Sequence, residues 1–574
     1  MARTTADLLT ALIGEAAEKA GWGECPVPLE TCVATKDASH GDYQSNYAFR
    51  IGKSLGQNPR EVASKVAAAL PDHPAVAGAE VAGPGFINFR LNEEWLASEL
   101  VERASSERFG TPQVGAGKTM VIDYSSPNIA KRMHIAHLRS TVIGNAIHRL
   151  YAYLGWTVVA DNHIGDWGTP FGKLIVAWRG WRDDAAYERD ALGELQRLYQ
   201  SFKGKSDEDP TLEDEARAET AKLQSGDAEN MALWEQFVEV SLREFNLIYD
   251  RLGVSFDVVH GESYYREELP GLVAELKQAG LAVDDDGAVV VPFPEGSGLE
   301  KSPMLVQKRD GAALYATTDM ATVRDRVRTW NPDRIIYVTD LRQKLHFRQL
   351  FEASRRWGYT EPDYVHVPFG ILRFPGGALA SSRSGDVIRL ADVLDTSVER
   401  ARALVDGKSD QLPETTRAEV AEAVGVAAVR YFDLSQNPQS DITFDWERSL
   451  ALDGNTAPYL MYAYARCRSI LRRAEDFSPS PVLLREPAER QLAMLALRTP
   501  EVIQLAADTH RPNLLCDHMY SLTQSFSRFW EQCRVWSDSH GMEVTHSRLT
   551  LTWVVACALE QGFEILGIQK VERL

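Results

Sequence analysis

The sequence predicts a multidomain protein that is α/β at its centre and all-α at its end. Three observations carry this reading. Residues 120–124, a helix pattern over about 134–154, and residues 157–160 form one strand–helix–strand unit. Residues 334–339, 342–357 and 364–369 repeat that arrangement. After about residue 410 the strand pattern ends and helical spacing takes over. Two such halves imply a Rossmann-like parallel sheet, with ligands at the carboxyl ends of its strands.

The elements follow in order. Leu8, Leu9, Leu12, Ile13 and Ala16 recur at helical spacing, so the chain opens with an amphipathic helix. Residues 80–90 read as a turn followed by an alternating strand. Residues 105–117 are polar and glycine-rich, as a linker would be. The predicted domains are therefore a small α/β domain at 1–108, a Rossmann-type core at 117–400 and a helical bundle at 410–574. A helical insertion interrupts the core at about 182–285, and within it residues 206–219 (SDEDPTLEDEARAE) read as solvated rather than core. Strand texture resumes at 288–292. Helices are expected over 416–433, 447–476 and 550–566.

The chain has 574 residues, 44% hydrophobic and 25% charged, which excludes intrinsic disorder and a minimal stapled scaffold. The net charge of −19 argues, on its face, against a polyanionic partner. Cys25, Cys32, Cys467, Cys516, Cys533 and Cys557 form no CxxC pair, so neither a zinc ribbon nor a dithiol motif is written, and no metal site is expected. Scattered thiols suit a reducing compartment. Asp7, Glu15, Glu18 and Lys19 break any signal-peptide core, and no run is read as approaching the roughly 18 apolar residues of a membrane span. A soluble, cytoplasmic protein is expected.

The sharpest local signal is Asn128-Ile-Ala-Lys-Arg-Met-His-Ile-Ala-His137. His134 and His137, three apart, share one face at the start of a helix that follows a parallel strand. Helix N-termini attract anions, and two imidazoles there suit phosphate oxygens. A metal pair or a plain helix cap would use the same spacing. Asp319 would by default be a helix N-terminal acid, and His346 fits a packed histidine as well as a ligand.

These residues carry a resemblance. His134-Ile-Ala-His137 resembles the HIGH signature of class I aminoacyl-tRNA synthetases, and the text from Asp123 to Leu150 resembles the arginyl-tRNA synthetase family. So do residues 161–172 (DNHIGDWGTPFG), 314–321 (LYATTDMA) and 337–347 (YVTDLRQKLHF). Residues 454–470 resemble that family's anticodon-binding helices, and 41–49 and 83–91 its N-terminal tRNA-binding domain. The motifs run in order over nearly the whole chain.

The resemblance implies ATP-dependent ligation of L-arginine to the 2′-OH at the 3′ end of arginine tRNA, through an arginyl-adenylate. The attacking group is already a carboxylate, so positioning and charge neutralisation are the catalytic needs. Lys131, His134, His137, Ser382 and Arg383 would carry catalysis. His134, Ala136, His137, Gly370, Ile371 and Ser381 would bind ATP, with Mg2+ accompanying it. Asp123 and Asn128 would hold the main-chain groups of arginine. His163, at a strand end, Tyr315, Asp319 and Gln343 would complete the arginine site, a carboxylate being the natural partner of a guanidinium. Asn46, Phe86, Tyr464, Arg466, Arg472 and Arg473 would contact tRNA, cations interleaved with aromatics suiting phosphates and bases. A monomer, with no membrane partner, is implied.

Two departures from the family stand out. Ala136 replaces the glycine of HIGH. The stretch aligned with the KMSKS loop, 379–385, is LASSRSG and has no lysine: Leu379 and Ser382 stand at the two lysine places. Lys131 occupies the upstream position that substitutes for the second lysine in many arginine enzymes. These departures also suit a specialised paralogue, such as a resistance duplicate or a supplier of arginyl-tRNA to a biosynthetic pathway, or a catalytically impaired tRNA-binding protein.

Overall fold

The computed structural model describes residues 3–309, 311–374, 388–408, 411–474, 477–537 and 540–574. The chain forms two compact units. One is Gly115–Leu450; the other joins Met1–Val114 to Ala451–Leu574.

The first unit is built on four parallel strands: β1 (Thr119–Asp123), β2 (Thr157–Asp161), β3 (Arg334–Asp340) and β4 (Asp363–Phe369), in the order β4-β3-β1-β2. Met120, Val121, Ile122, Ile335, Ile336 and Val338 are fully buried, as strands covered on both faces must be. Helix α1 (Ile135–Tyr153) connects β1 to β2, α2 (Tyr315–Trp330) precedes β3, and α3 (Lys344–Arg356) connects β3 to β4. The connections after β1 and β3 leave in opposite directions, so a crevice opens at the carboxyl ends of these two neighbours. Helix α1 lies close to the sheet: a side-chain carbon at Gly144 would come within 2.3 Å of Tyr124 Cβ.

Two sequence expectations change here, while residues 206–219 are mostly exposed as expected, with Ala216 buried. Residues 288–292 do not join the parallel sheet. The strand Ala288–Val291 pairs antiparallel with Val283–Asp285 and Met304–Gln307. Asp286 (φ 47°) and Gly287 (φ 80°) form a two-residue turn, which closes a hairpin and precludes a crossover. The acidic insertion also has a core of its own. Helices Ala191–Glu208, Thr211–Gln224 and Ala228–Leu252 bury Leu195, Leu198, Phe202, Ala216, Leu223 and Phe237 and turn most of their acids outward, Glu194 being buried against Arg197. Finally, helix α4 (Glu414–Leu434) belongs with the sheet, whereas the sequence placed it in the bundle starting at 410. Its Asp433 accepts Arg139 Nε of α1 at 3.1 Å, both side chains being buried.

In the second unit, strands Val33–Ala34, Tyr43–Ser45, Phe86–Leu91 and Val76–Ala82 form an antiparallel sheet, in that order. The predicted helix 447–476 is two pieces, Trp446–Ser449 and Ala457–Arg473, parted by a segment containing Gly454 at φ 76°. The chain ends share buried polar contacts. Arg103 donates to Leu497 O (2.7 Å) and Thr5 Oγ1 (3.1 Å). Arg490 pairs with buried Asp42 at 2.9 Å, and Glu501 accepts from Ala6 N and Tyr43 Oη. One helix, Met542–Leu566, is long and apolar enough by composition to cross a membrane, contrary to the sequence reading. It is mostly buried and serves as the core helix of this unit.

Candidate active site

The turn from β1 to α1 has an unusual backbone. Ser125 (φ 75°), Ser126 (φ 49°) and Ala130 (φ 60°) are left-handed without being glycine, a costly state that the surroundings must impose. Ser125 N is held by Ser140 Oγ at 2.9 Å and Ala130 N by Ser241 Oγ at 2.9 Å. Asn128 bridges to Gly165, where any side chain would strike Asn128 Oδ1 at 2.2 Å.

This turn delivers His134 as the N-cap of α1. His134 Nδ1 accepts from Ala136 N (3.2 Å), and His137 Nδ1 accepts from His134 N (3.0 Å). The two rings, 4.0 Å apart, form a reciprocal cap. With Nδ1 accepting in both, the ring proton resides on Nε2. Burial, then the charge of Lys131, lowers the pKa of His134; burial, then His134, pushes His137 down to about 3. Both are therefore neutral N–H donors at neutral pH. Charge beside them comes from Lys131, whose ammonium lies 4.8 Å from the Tyr199 ring centre. Residues 388–390 are stitched to the same motif: Ile135 N donates to Ile388 O and Leu390 N to Met133 O.

At the carboxyl ends of β1 and β3 a cavity of about 510 Å3 is lined by Asp123, Ser126, His163, Glu262, Asp319 and Tyr337, among others. Register places Asp123 opposite Asp161 on one side and Tyr337 on the other. Asp123 accepts Arg326 Nη2 at 2.6 Å and Ser126 Oγ at 3.0 Å. Burial raises its pKa, against the pull of Arg326. His163 donates Nδ1–H to His260 O at 2.7 Å. Burial opposes its protonation, but Asp123 and Asp319 outweigh that and raise its pKa. Asp319 accepts His346 Nε2 at 2.5 Å. Tyr315, 61% exposed, sets its ring 4.7 Å from that of His346. Gln343 is exposed in the turn leading into α3 and lines the same cavity.

The structure thus brings Asp123, His163, Tyr315, Asp319 and Gln343 together. Asn128 and Lys131 line an adjoining cavity of about 400 Å3, which shares Glu262 and Tyr315 with the first. Two residues escaped the sequence reading. Glu262 faces both cavities; burial, with Asp319 and Asp166 adding and His163 opposing, lifts its pKa to about 7. Arg326, fully buried on α2, bridges Asp123 and Asp161. Only Arg326 had a sequence signal, a cation two helical turns beyond Asp319; Glu262 had none.

Other candidates fall elsewhere. Gly370 donates to Pro438 O and accepts from Arg139, while Ile371 donates to Asp441 and accepts from Ile442. Their main-chain groups are tied to the segment 438–442 and to Arg139. Tyr464 is corrected: it is 2% exposed, with its hydroxyl on Glu560 at 2.7 Å, so its ring is core and cannot stack on a base. Arg466 lies over Tyr462, Arg473 over Trp536, and Arg472 pairs with Glu572. Phe86 packs 5.6 Å from Phe49, and Asn46 caps the helix Tyr47–Ser54 without a side-chain bond. Ser381, Ser382 and Arg383 lie outside the described residues. Among the described residues no cluster of three or more metal-ligating side chains occurs.

Comparison with known proteins completes the picture. Residues 100–446 match the family of class I (R) tRNA synthetase catalytic domains, 460–574 the DALR anticodon binding domain, and 7–91 the arginyl tRNA synthetase N-terminal domain. A curated arginine–tRNA ligase of Fusobacterium nucleatum is 44% identical over 552 residues, covering 95% of each chain. One of Chloroflexus aggregans is 42% identical over 97% of each. The crystal structure of arginyl-tRNA synthetase from Plasmodium falciparum superposes with a TM-score of 0.85 at 26% identity, over 100% of both chains.

Proposed function

The chain belongs to the arginyl-tRNA synthetase family, and from that premise we infer how its own residues divide the work of joining L-arginine to arginine tRNA with ATP. The observation that carries the reading is the cavity at the β1–β3 crevice, whose wall holds Asp123, His163, Glu262 and Asp319 next to a turn bearing two neutral imidazoles. Its carboxylates suit a substrate with two cationic ends. Asp319 and Glu262 take the guanidinium, and Asp123 with Asn128 takes the α-amino end.

In the first step the arginine carboxylate attacks the α-phosphorus of ATP, which enters as its magnesium complex, and pyrophosphate leaves. His134 and His137 donate Nε2–H to phosphate oxygens, and Lys131 adds the full positive charge that neutral imidazoles lack. In the second step the terminal 2′-OH of tRNA attacks the adenylate carbonyl and AMP leaves. The helices of 457–566 and the N-terminal sheet contact the rest of the tRNA. The enzyme works as a cytoplasmic monomer. Purified protein should charge arginine tRNA in an arginine-dependent manner, and His137→Ala should lower kcat by roughly 100-fold or more. Absence of charging, or an unaffected His137→Ala, refutes the assignment.

A further inference from the structure

We infer that Arg326 is a positioning residue for the substrate: its buried guanidinium fixes the charge and orientation of Asp123, leaving that carboxylate ready for the α-ammonium of L-arginine. The inference rests on the reading of Asp123 given above.

Arg326 is fully buried, and its Nη2 alone serves two carboxylates, Asp123 Oδ2 at 2.6 Å and Asp161 Oδ2 at 2.7 Å. Its Nε also reaches Asp161, at 3.2 Å. Asp123 Oδ1 bonds only Ser126, a residue of the cavity wall. Both oxygens of Asp123 are thus held from different sides, which fixes its rotation. The ring of Tyr337 on β3 lies 5.1 Å from the guanidinium carbon and closes off the remaining side. Arg326 Nη1 is buried with no hydrogen-bond partner.

An orphaned donor is a cost that packing alone would have removed by using an apolar side chain. The charge count explains its retention. Two carboxylates at adjacent strand ends share one guanidinium, and the surplus is a single negative charge at the cavity wall. That is the complement of one ammonium group. Without Arg326, two buried carboxylates would face each other and one would take up a proton. The other groups that face this pair are His163, Tyr265 and Tyr337. None of them can replace a permanent cation.

The test is the KM for arginine in aminoacylation by the full-length enzyme, from pH 6.5 to 9, expressed as the ratio to wild type at each pH so that Glu262 cancels. Arg326→Gln should raise the ratio roughly tenfold or more, with a smaller change in kcat, and the excess should shrink as pH rises and Asp123 loses its proton. Arg326→Lys, which keeps the charge but not the fork, should raise the ratio without pH dependence. Arg326→Gln with Asp161→Asn restores the charge count and should recover part of the loss. A uniform rise with pH and no recovery in the double variant would show a packing role and overturn the inference. If Arg326→Gln does not fold, Arg326→Lys decides: a wild-type KM overturns the proposal, and a raised KM at an unchanged melting temperature supports it. Asp123→Asn separates the premise: a wild-type KM there removes the reading of Asp123 and this inference with it.

Discussion

Glu262 ties arginine binding to pH. With its pKa near 7, it is largely protonated below neutrality and ionised above. A neutral carboxyl cannot pair with a guanidinium, so the KM for arginine should fall as pH rises from 6 to 8. In Glu262→Gln it should be high and its fall over that interval much reduced, His163 being the other titrating group of the cavity. His137, with its pKa near 3, is neutral throughout and contributes no limb to the profile. Tyr464 gives a contrasting test. Because its ring is core, Tyr464→Phe should leave the KM for tRNA unchanged and cost only about 1 kcal/mol of stability through the lost bond to Glu560. The misreading of Tyr464 has a simple cause: alternation of cations and aromatics along a helix does not say which side is solvated. Asp319 and Tyr315 were legible through the resemblance carried by residues 314–321, and residues four apart on a helix share a face. Glu262 was not, because it reaches the site from the end of a long insertion and nothing local marks it.

At the scale of elements, the placement of α1 governs the histidine pair. Alanine normally stabilises a helix over glycine by about 1 kcal/mol. At Gly144 the added carbon would sit 2.3 Å from Tyr124. Gly144→Ala should instead cost about 1–3 kcal/mol in a denaturant melt, and lower kcat by moving His134 and His137. Ile388 and Leu390 bond the main chain of Ile135 and Met133, beside the histidines. If Lys131 supplies the lysine charge that residues 379–385 lack, Lys131→Ala should abolish activation, and Ser382→Lys should partly restore it, measured by ATP–pyrophosphate exchange with tRNA present. An active Lys131→Ala variant refutes the assignment. The parallel strands and their helices were legible as short apolar runs joined by helix periodicity. The hairpin at 283–291 was not separated from them, because an apolar run of four residues reads alike in either kind of sheet.

For the whole molecule, a net charge of −19 coexists with a nucleic-acid partner because charge is local. Acids gather on the solvent side of the insertion, while Arg466 and Arg473 lie on the rings of Tyr462 and Trp536. The KM for tRNA should rise steeply with salt, linearly on a log–log scale, and replacing both arginines by alanine should reduce that slope by about two. A slope unchanged in the double variant places the contact elsewhere. The boundary at 450 was not legible from texture. The helix α4 is apolar on most sides, and only its neighbours reveal which core it completes.

The unit that contains both chain ends has a consequence in time. Protein is made from the N-terminus at about 5–20 residues per second, so its first part must wait on the order of tens of seconds while residues 115–450 emerge. During that interval Asp42, Arg103 and Tyr43 lack the partners that Arg490, Leu497 and Glu501 later bring. The sheet unit, a continuous stretch of chain, can finish first. A nascent chain stalled before residue 451 would carry a complete nucleotide-binding core and an N-terminal segment with half its interior unmade, dependent on chaperones until the last helices arrive.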